Sequence, residues 1–532
     1  MPSFPLRAFN AAFGQYLRWR VPGIERTRRE PEAYQRRWLD YLLVHARHTH
    51  FGRDHGLAHD SSYEDFAGRV PVRDYDGHAP YIRRAMAGER HVLWPGRVRW
   101  FSKSSGTTAD RSKYLPVTGE NLRKNHLRGG WDAMSLYYAQ RPAASLFARK
   151  NLVMGGAIQE VLLAGARVGD ISAVMLANFP QVGRPFYTPS FETMLMRDYE
   201  AKLARTVRES AGADVGMMGG VPNWTIALLQ RLLAHTGAAC VREVWPAFQL
   251  FVHGGIAFEP YRRQFERIVG APAGDFDFLE VYNASEGYFG LRDELGRDDM
   301  LLLLDNGTFF EFVPEGAWDA EHPRALPLWE VEAGRRYSVI VTTNAGLWRY
   351  RLGDVVEFTS VTPHRVRIAG RTRAGINAFG EELMVGNADA ALLATCGALG
   401  CEVAEYTAAP AWLSGESAHR GYHEWAVEFA RPPRSLSAFA KTLDAELQRA
   451  NSDYAAKRSG DLALVPPRVH AVAPGTFAAW MRARGRLGGQ GKVPRLSGTR
   501  DHLESLLAAH PTRVARGADA GTPEATADTD DA

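Results

Sequence analysis

The chain has 532 residues, enough for two to four domains at about 150 residues each. Its 45% hydrophobic and 23% charged residues exclude wholesale disorder, collagen-like repeats and a disulfide scaffold. A net charge of +4, from 64 basic and 60 acidic residues, is too slight for a dedicated nucleic-acid binder, which concentrates basic charge against phosphates.

Arg7, Arg18 and Arg20 interrupt every apolar stretch near the N-terminus, so no signal-peptide core is expected. No run of 18 apolar residues suggests a membrane span, and the expected location is cytoplasmic, with neither membrane nor nucleic-acid partner. Apolar residues at a spacing of 3–4 predict helices over Pro31–His50, Phe191–Ser210, Val221–His235 and Glu259–Val269. Buried strands are expected between them at Asn151–Met154 and Phe276–Tyr282. Alternating helices and strands predict a large layered α/β domain over residues 1–298.

Strand candidates then follow without a helix: Met300–Leu304, Thr308–Val313, Tyr337–Thr343, Val355–Thr359 and Arg365–Ile368. They predict a β-rich subdomain over 299–370. Helices over Glu381–Leu399 and Ser435–Ala450, with strands at Glu402–Tyr406, Glu424–Phe429 and Val469–Val472, predict a small α+β domain over 371–512. The residues from 513 to 532 have almost no large apolar side chain and read as a disordered tail. Cys240, Cys396 and Cys401 read as reduced thiols, because no second pair completes a metal site.

The segment from Phe101 to Lys113 sets Ser104, Ser105, Thr107 and Thr108 around Gly106. Such a loop offers backbone N–H groups and hydroxyls to a polyphosphate. Lys103 and Lys113 add charge in a chain with eight lysines. A solvated Ser/Thr loop is the ordinary alternative. The turn His253-Gly-Gly-Ile256 follows one strand candidate. Tyr282, Ser285 and Glu286 follow the apolar run Phe276 to Leu279, near a strand end where α/β sheets gather ligands. Tyr282 offers a face to a base, and Glu286 a hard oxygen for Mg²⁺. Asp354 follows a Gly turn, where it could accept ribose hydroxyls. A core aromatic, a helix-capping acid and a surface turn acid are the plain alternatives for Tyr282, Glu286 and Asp354.

In their order these segments resemble the adenylate-forming (acyl-adenylate) enzyme superfamily. Ser-Ser-Gly-Thr-Thr, Tyr-Asn-Ala-Ser-Glu, Tyr-Arg-Leu-Gly-Asp, Ile376-Asn-Ala-Phe-Gly-Glu-Glu382 and Gly491-Lys-Val-Pro-Arg495 look like the bacterial branch of the auxin-responsive promoter (Gretchen Hagen) family of acyl-acid amido synthetases. The resemblance covers about residues 35 to 500. It implies ATP- and Mg²⁺-dependent activation of a small carboxylic acid to an acyl-adenylate, then transfer to an amine, usually an amino acid. It also implies that architecture: a large N-terminal domain with a small mobile C-terminal one.

By the same resemblance Ser104, Ser105, Thr107, Thr108 and Ser285 hold phosphates, while Gly254, Gly255 and Tyr282 frame adenine. Asp354 holds the ribose with Arg371 beside it, Glu286 holds the metal and Lys492 is the catalytic cation. Gly370 to Gly375 is the expected hinge. Ala109 and Asn377 depart from superfamily patterns: Ala109 stands where Gly is common, and Asn377 where acyl-CoA synthetases often carry Lys. An acyl-CoA or carrier-protein ligase, or an inactive adenylate-binding protein, remain the alternatives. The histidines His45, His48, His50 and His55 lack acid or Cys partners and read as a solvated helix end. Arg486 and Val493 break a Walker A pattern around Gly485–Gly491. Trp131, Trp224 and Met217 are the candidates for lining the acyl and amine pockets.

Overall fold

A computed structural model describes residues 3–516, apart from 59–60, 105–112, 163, 256–257, 272–273, 319, 321, 373–374, 377, 380, 382, 414–419, 459–463, 486–491 and 510–511. The chain divides into two units. One comprises residues 1–373 together with 486–492, the other 374–485 together with 493–532.

In the first unit, β1 (Trp100–Ser104) and β2 (Lys113–Val117) form a hairpin. The following strands are β3 (Lys150–Val153), β4 (Ile158–Val161), β5 (Arg167–Gly169), β6 (Tyr187–Thr188), β7 (Val215–Gly220), β8 (Leu250–Gly254) and β9 (Asp277–Asn283). A small sheet runs β2-β1-β5-β4. Strands β6, β3, β7, β8 and β9 run parallel in a longer sheet. Parallel strands need cover on both faces. Leu250, Leu279 and Val281 pack on one face with Leu136 and Tyr137 of the helix Leu127–Gln140. Phe251 and Met218 pack on the other with the helices Pro222–Thr236 and Glu259–Val269.

The same sheet continues antiparallel through β10 (Tyr288–Leu291), β11 (Met300–Leu302), β12 (Thr308–Pro314), β13 (Leu326–Pro327), β14 (Arg336–Thr343), β15 (Tyr350–Val361) and β16 (His364–Arg371), giving twelve strands. The β-rich stretch expected as a subdomain is thus built into the main sheet. The short β11 joins the two, pairing with β10 on one edge and β16 on the other. Phe310, Phe312, Val339, Val356 and Phe358 fill the core of this half.

The second unit has a short hairpin of β17 (Gly375–Ile376) and β18 (Leu383–Met384), then a four-stranded sheet of β19 (Glu402–Trp412), β20 (Gly421–Arg431), β21 (Arg468–Val472) and β22 (Thr512–Arg516). Helices Val385–Leu399 and Leu436–Ala450 pack against each other, with Trp425 and Val427 in the shared core.

Several expectations need adjustment. The helix expected over Phe191–Ser210 is two, Phe191–Met194 and Tyr199–Ala211, because the Asp198 carboxylate caps the second by accepting from Ala201 N at 2.9 Å. Pro31–His50 likewise stops at Ala46, and Thr49 caps a new helix from His50. The first residues of the expected tail form β22, paired antiparallel with Arg468–Val472. Residues 517–532 lie outside the described ones. Among the described residues no helix is long and apolar enough to cross a membrane.

Candidate active site

Four pieces of the first unit carry the residues singled out from sequence. The β1–β2 hairpin aligns Ser104 with Lys113, so these two flank the hydroxyl-rich loop. Ser105, Thr107 and Thr108 lie outside the described residues. The hairpin base is fixed from outside, because Tyr114 N donates to the Tyr75 hydroxyl at 3.1 Å.

The second piece is the end of β8. Gly254 lies beside Val281 of β9, and a Cβ there would collide with the Val281 carbonyl, so the approach needs glycine. Gly255 has φ +86°, a conformation glycine adopts without strain. A Cβ on Gly255 would stand 3.4 Å from Lys492 Cε and 3.5 Å from its Nζ. Lys492 therefore lies at this glycine turn. It groups with the first unit, although the sequence assigns it to the small domain. A lysine at the end of a glycine-rich stretch follows whatever it reaches, which spacing alone does not reveal.

The third piece is the turn between β9 and β10. Ala284 N donates to Gly287 O at 2.8 Å, and Gly287 N to Ala284 O at 3.3 Å. The turn presents a buried Ser285 and a half-buried Glu286. A residue missed in the sequence braces it. Asn125 lies in a π-helical turn, Leu122–His126, a feature frequent at functional sites. Its Oδ1 accepts from Tyr288 N at 2.6 Å, and its Nδ2 donates to Asn306 O at 3.0 Å and Thr308 Oγ1 at 3.2 Å. Beside it, burial lowers the pKa of His126 to about 4, with the nearby Asn283 side chain opposing more weakly.

The fourth piece is β15, where Asp354 lies opposite Arg371 of β16. The ladder slips between Val355 and Val356, the kind of irregularity that re-aims a neighbouring side chain. The Tyr282 hydroxyl donates to Asp354 Oδ2 at 2.8 Å. Tyr282 is itself enclosed, its ring edge-on to Phe289 at 5.3 Å. What the geometry gives Tyr282 is the orientation of the Asp354 carboxylate.

Lys202 also escaped the sequence reading. Its ammonium, 4% exposed, donates to Gly155 O at 2.8 Å and Gly156 O at 3.0 Å. Burial lowers its pKa to about 8, with Asp170 opposing. It ties the crossing between β3 and β4, and so links the long sheet to the small one. Of the pocket candidates, Met217 is in the core against Leu250, while Trp131 is 40% exposed. His45 stacks on Trp94, and His50 Nε2 lies 3.1 Å from Glu89. Among the described residues no group of three or more His, Cys, Asp or Glu is placed to hold a metal.

The first unit with its twelve-stranded sheet and the second α+β unit have the fold of adenylate-forming enzymes. The solved GH3.15 acyl acid amido synthetase superposes with a TM-score of 0.76 at 16% identity, over 95% of this chain and 99% of that one. A 2-hydroxyisobutyryl-CoA ligase in the postadenylation state gives 0.57 at 16% identity, over 90% and 91%.

Residues 20–209 match the GH3 family N-terminal domain, 301–371 the GH3 family central domain and 386–501 the GH3 family C-terminal domain. The chain belongs to the GH3 family of acyl acid amido synthetases, ligases that form C–N bonds. The indole-3-acetic acid-amido synthetase GH3.3 of Arabidopsis thaliana is 23% identical over 547 residues, covering 89% of this chain and 90% of its own. The jasmonoyl–L-amino acid synthetase JAR4 of Nicotiana attenuata is 24% identical over 397 residues, covering 61% and 66%.

Proposed function

We propose that the chain joins a carboxylic acid to the amine of an amino acid in two steps. ATP and the acid give an acyl-adenylate and pyrophosphate; the amine then attacks the acyl carbon, releasing AMP and leaving an amide. The observation that carries this reading is Lys492 at the Gly254–Gly255 turn, in the same unit as Ser285, Glu286 and the Tyr282–Asp354 pair.

In this reading Ser104, Ser105, Thr107, Thr108 and Ser285 bind phosphate oxygens, while Gly254 and Gly255 let the backbone approach the base. Asp354, held by Tyr282, accepts from the ribose hydroxyls beside Arg371. Glu286 would hold Mg²⁺, whose charge offsets that of the phosphates. Lys492 places its ammonium where charge builds as the acid's carboxylate attacks the α-phosphorus. Fixed donors of this kind need no rearrangement during reaction, which is the source of their effect. The break between the units at residues 373 and 374 supports a hinge within Gly370–Gly375.

The motif wording supports the family's bacterial branch, although the relatives named above are plant proteins. The three free cysteines and the ATP requirement support a cytoplasmic setting. The slight net charge and the absence of an apolar spanning helix among the described residues support small-molecule partners rather than nucleic acid or membrane. The test is acid-dependent ATP–pyrophosphate exchange across a panel of carboxylic acids, followed by product analysis with amino acids and with coenzyme A. Amide product with an amino acid is expected. Exchange with no acid, or thioester in place of amide, would overturn the reading.

A further inference from the structure

Cys396 lies in the last turn of the helix Val385–Leu399, and Cys401 follows Gly400 just before β19. Cys401 N donates to the Cys396 carbonyl at 3.2 Å, which closes the helix end and holds the two residues together. Their sulfurs are 3.7 Å apart. Cys396 is half-buried, Cys401 is 3% exposed, and both are free thiols. A disulfide needs the sulfurs at about 2.05 Å and Cα atoms within about 4.4–6.8 Å. A backbone hydrogen bond across five residues favours such an approach, and side-chain rotation can supply the remaining closure.

We propose that Cys396 and Cys401 are a reversible disulfide site, oxidised in the folded protein by a small-molecule disulfide of the glutathione type. The half-buried Cys396 is the point of entry. Its thiolate attacks one sulfur of the oxidant, forming a mixed disulfide and releasing one thiolate. Cys401 then attacks Cys396 Sγ, the mixed S–S bond breaks and the second thiolate leaves. Two electrons pass from the pair to the oxidant, and the two thiol protons end on the two released thiols. The step therefore balances with no other reactant.

The sulfur-to-sulfur approach, not thiol acidity, carries the second attack. The Cys401 thiol is held below its usual range, first by its hydrogen bond with Cys396 against the opposing effect of burial, with Arg431 lowering it further and Glu402 opposing. The same hydrogen bond and burial hold the Cys396 thiol above its usual range, so the first attack is the slow one. Arg431 and Glu402 pair at 3.2 Å, which moderates both influences. Cys240 lies in the first unit and has no part in this chemistry.

The probe is oxidised glutathione on the native full-length chain, with alkylation and intact mass as the readout. Wild type should lose about 2 Da without gaining an adduct, recover fully with dithiothreitol and yield a Cys396–Cys401 cross-linked peptide. Alkylatable thiols should fall from three to one, and Cys240→Ser should leave the 2 Da loss intact. Cys401→Ser should stop at a glutathione adduct on Cys396. Circular dichroism before and after confirms that the folded chain reacted. Three thiols still alkylated in wild type, or a cross-link involving Cys240, would overturn the proposal. The peptide from wild type decides the matter even if a serine variant fails to fold.

Discussion

The two halves of the twelve-stranded sheet place their polar side chains by different means. In the parallel half, β8 stops at Gly254–Gly255, and β9 gives way to the turn with Ser285 and Glu286. Polar groups are set where the ladder ends, and neighbouring elements brace them: Asn125 beneath the turn, Lys492 at the glycines. In the antiparallel half, Asp354 comes from within a paired strand, next to a slip in register, and depends on the Tyr282 hydroxyl reaching across from β9. Strand ends can change their loops without disturbing the core. A mid-strand acid is fixed by the ladder itself, so its orientation depends on the fold around it.

The largest effect should come from the strand-end side. Lys492→Ala is expected to slow acyl-adenylate formation by about 10²–10³, by analogy with deleting an oxyanion donor. Amide formation from a synthetic acyl-adenylate should suffer far less. Single-turnover measurement of both steps checks this, and adenylation surviving within about threefold would move Lys492 out of the site.

Acid should weaken both halves, through different histidines. His126 lies under the strand-end turn, and His364 lies in β16; burial lowers each to a pKa of about 4. An unfolded histidine takes its proton near pH 6.5, so between about 6.5 and 4 the unfolded chain binds more protons. Stability must therefore fall as pH falls through that window, by up to about 3 kcal/mol for fully buried His126 and less for His364. Urea unfolding from pH 7 to 4.5 should show a shallower slope for His126→Gln and for His364→Gln. An unchanged slope in either would mean that the histidine is already charged in the fold.

Tyr282→Phe tests the mid-strand side. Losing one hydrogen bond to a charged group costs about 1.5–3 kcal/mol. Part of that is recovered by water, so the expected change is a rise of about tenfold in the KM for ATP with kcat nearly unchanged. A fall in kcat at constant KM would place Tyr282 nearer the reacting atoms. The smallest effect belongs to Asn125→Ala. We expect a two- to fivefold rise in the Mg²⁺ concentration giving half-maximal exchange, as the Ser285–Glu286 turn loosens, with an unfolding midpoint lowered by a few degrees. A lowered midpoint with unchanged Mg²⁺ dependence would make Asn125 a purely structural brace.

Much of this was legible where one residue type has one physical use. The helix Glu259–Val269 matches its apolar spacing end to end, and the strand over Phe276–Tyr282 is displaced by a single residue. Glycines at 254 and 255 were legible because close approach and a positive φ both demand them. Asn125 was not, since a π-turn has no sequence period and a buried asparagine looks like any other. The break before Tyr199 was readable in principle, as Asp198 is a good capping residue, but the apolar spacing runs straight through it. The pairing of Asp354 with Arg371 depends on the register of β15 and β16, which composition does not encode. The place of Lys492 depends on what lies within its reach, and sequence distance says nothing about that.

The scarcity of lysine has a practical consequence. With eight lysine side chains in the whole chain, acylating reagents meet few targets, and the buried Lys202, clasped by two carbonyls, is shielded from them although its pKa of about 8 makes it the more easily deprotonated. On the proposed function, ATP bound beside Gly255 should shield the half-buried Lys492 from such reagents. Labelling by an amine-reactive ester, with peptide mapping, therefore becomes an occupancy gauge that needs no knowledge of the acid. Protection of the peptide carrying Lys492 by ATP, against the steady modification of exposed Lys124, would report binding before any product is identified.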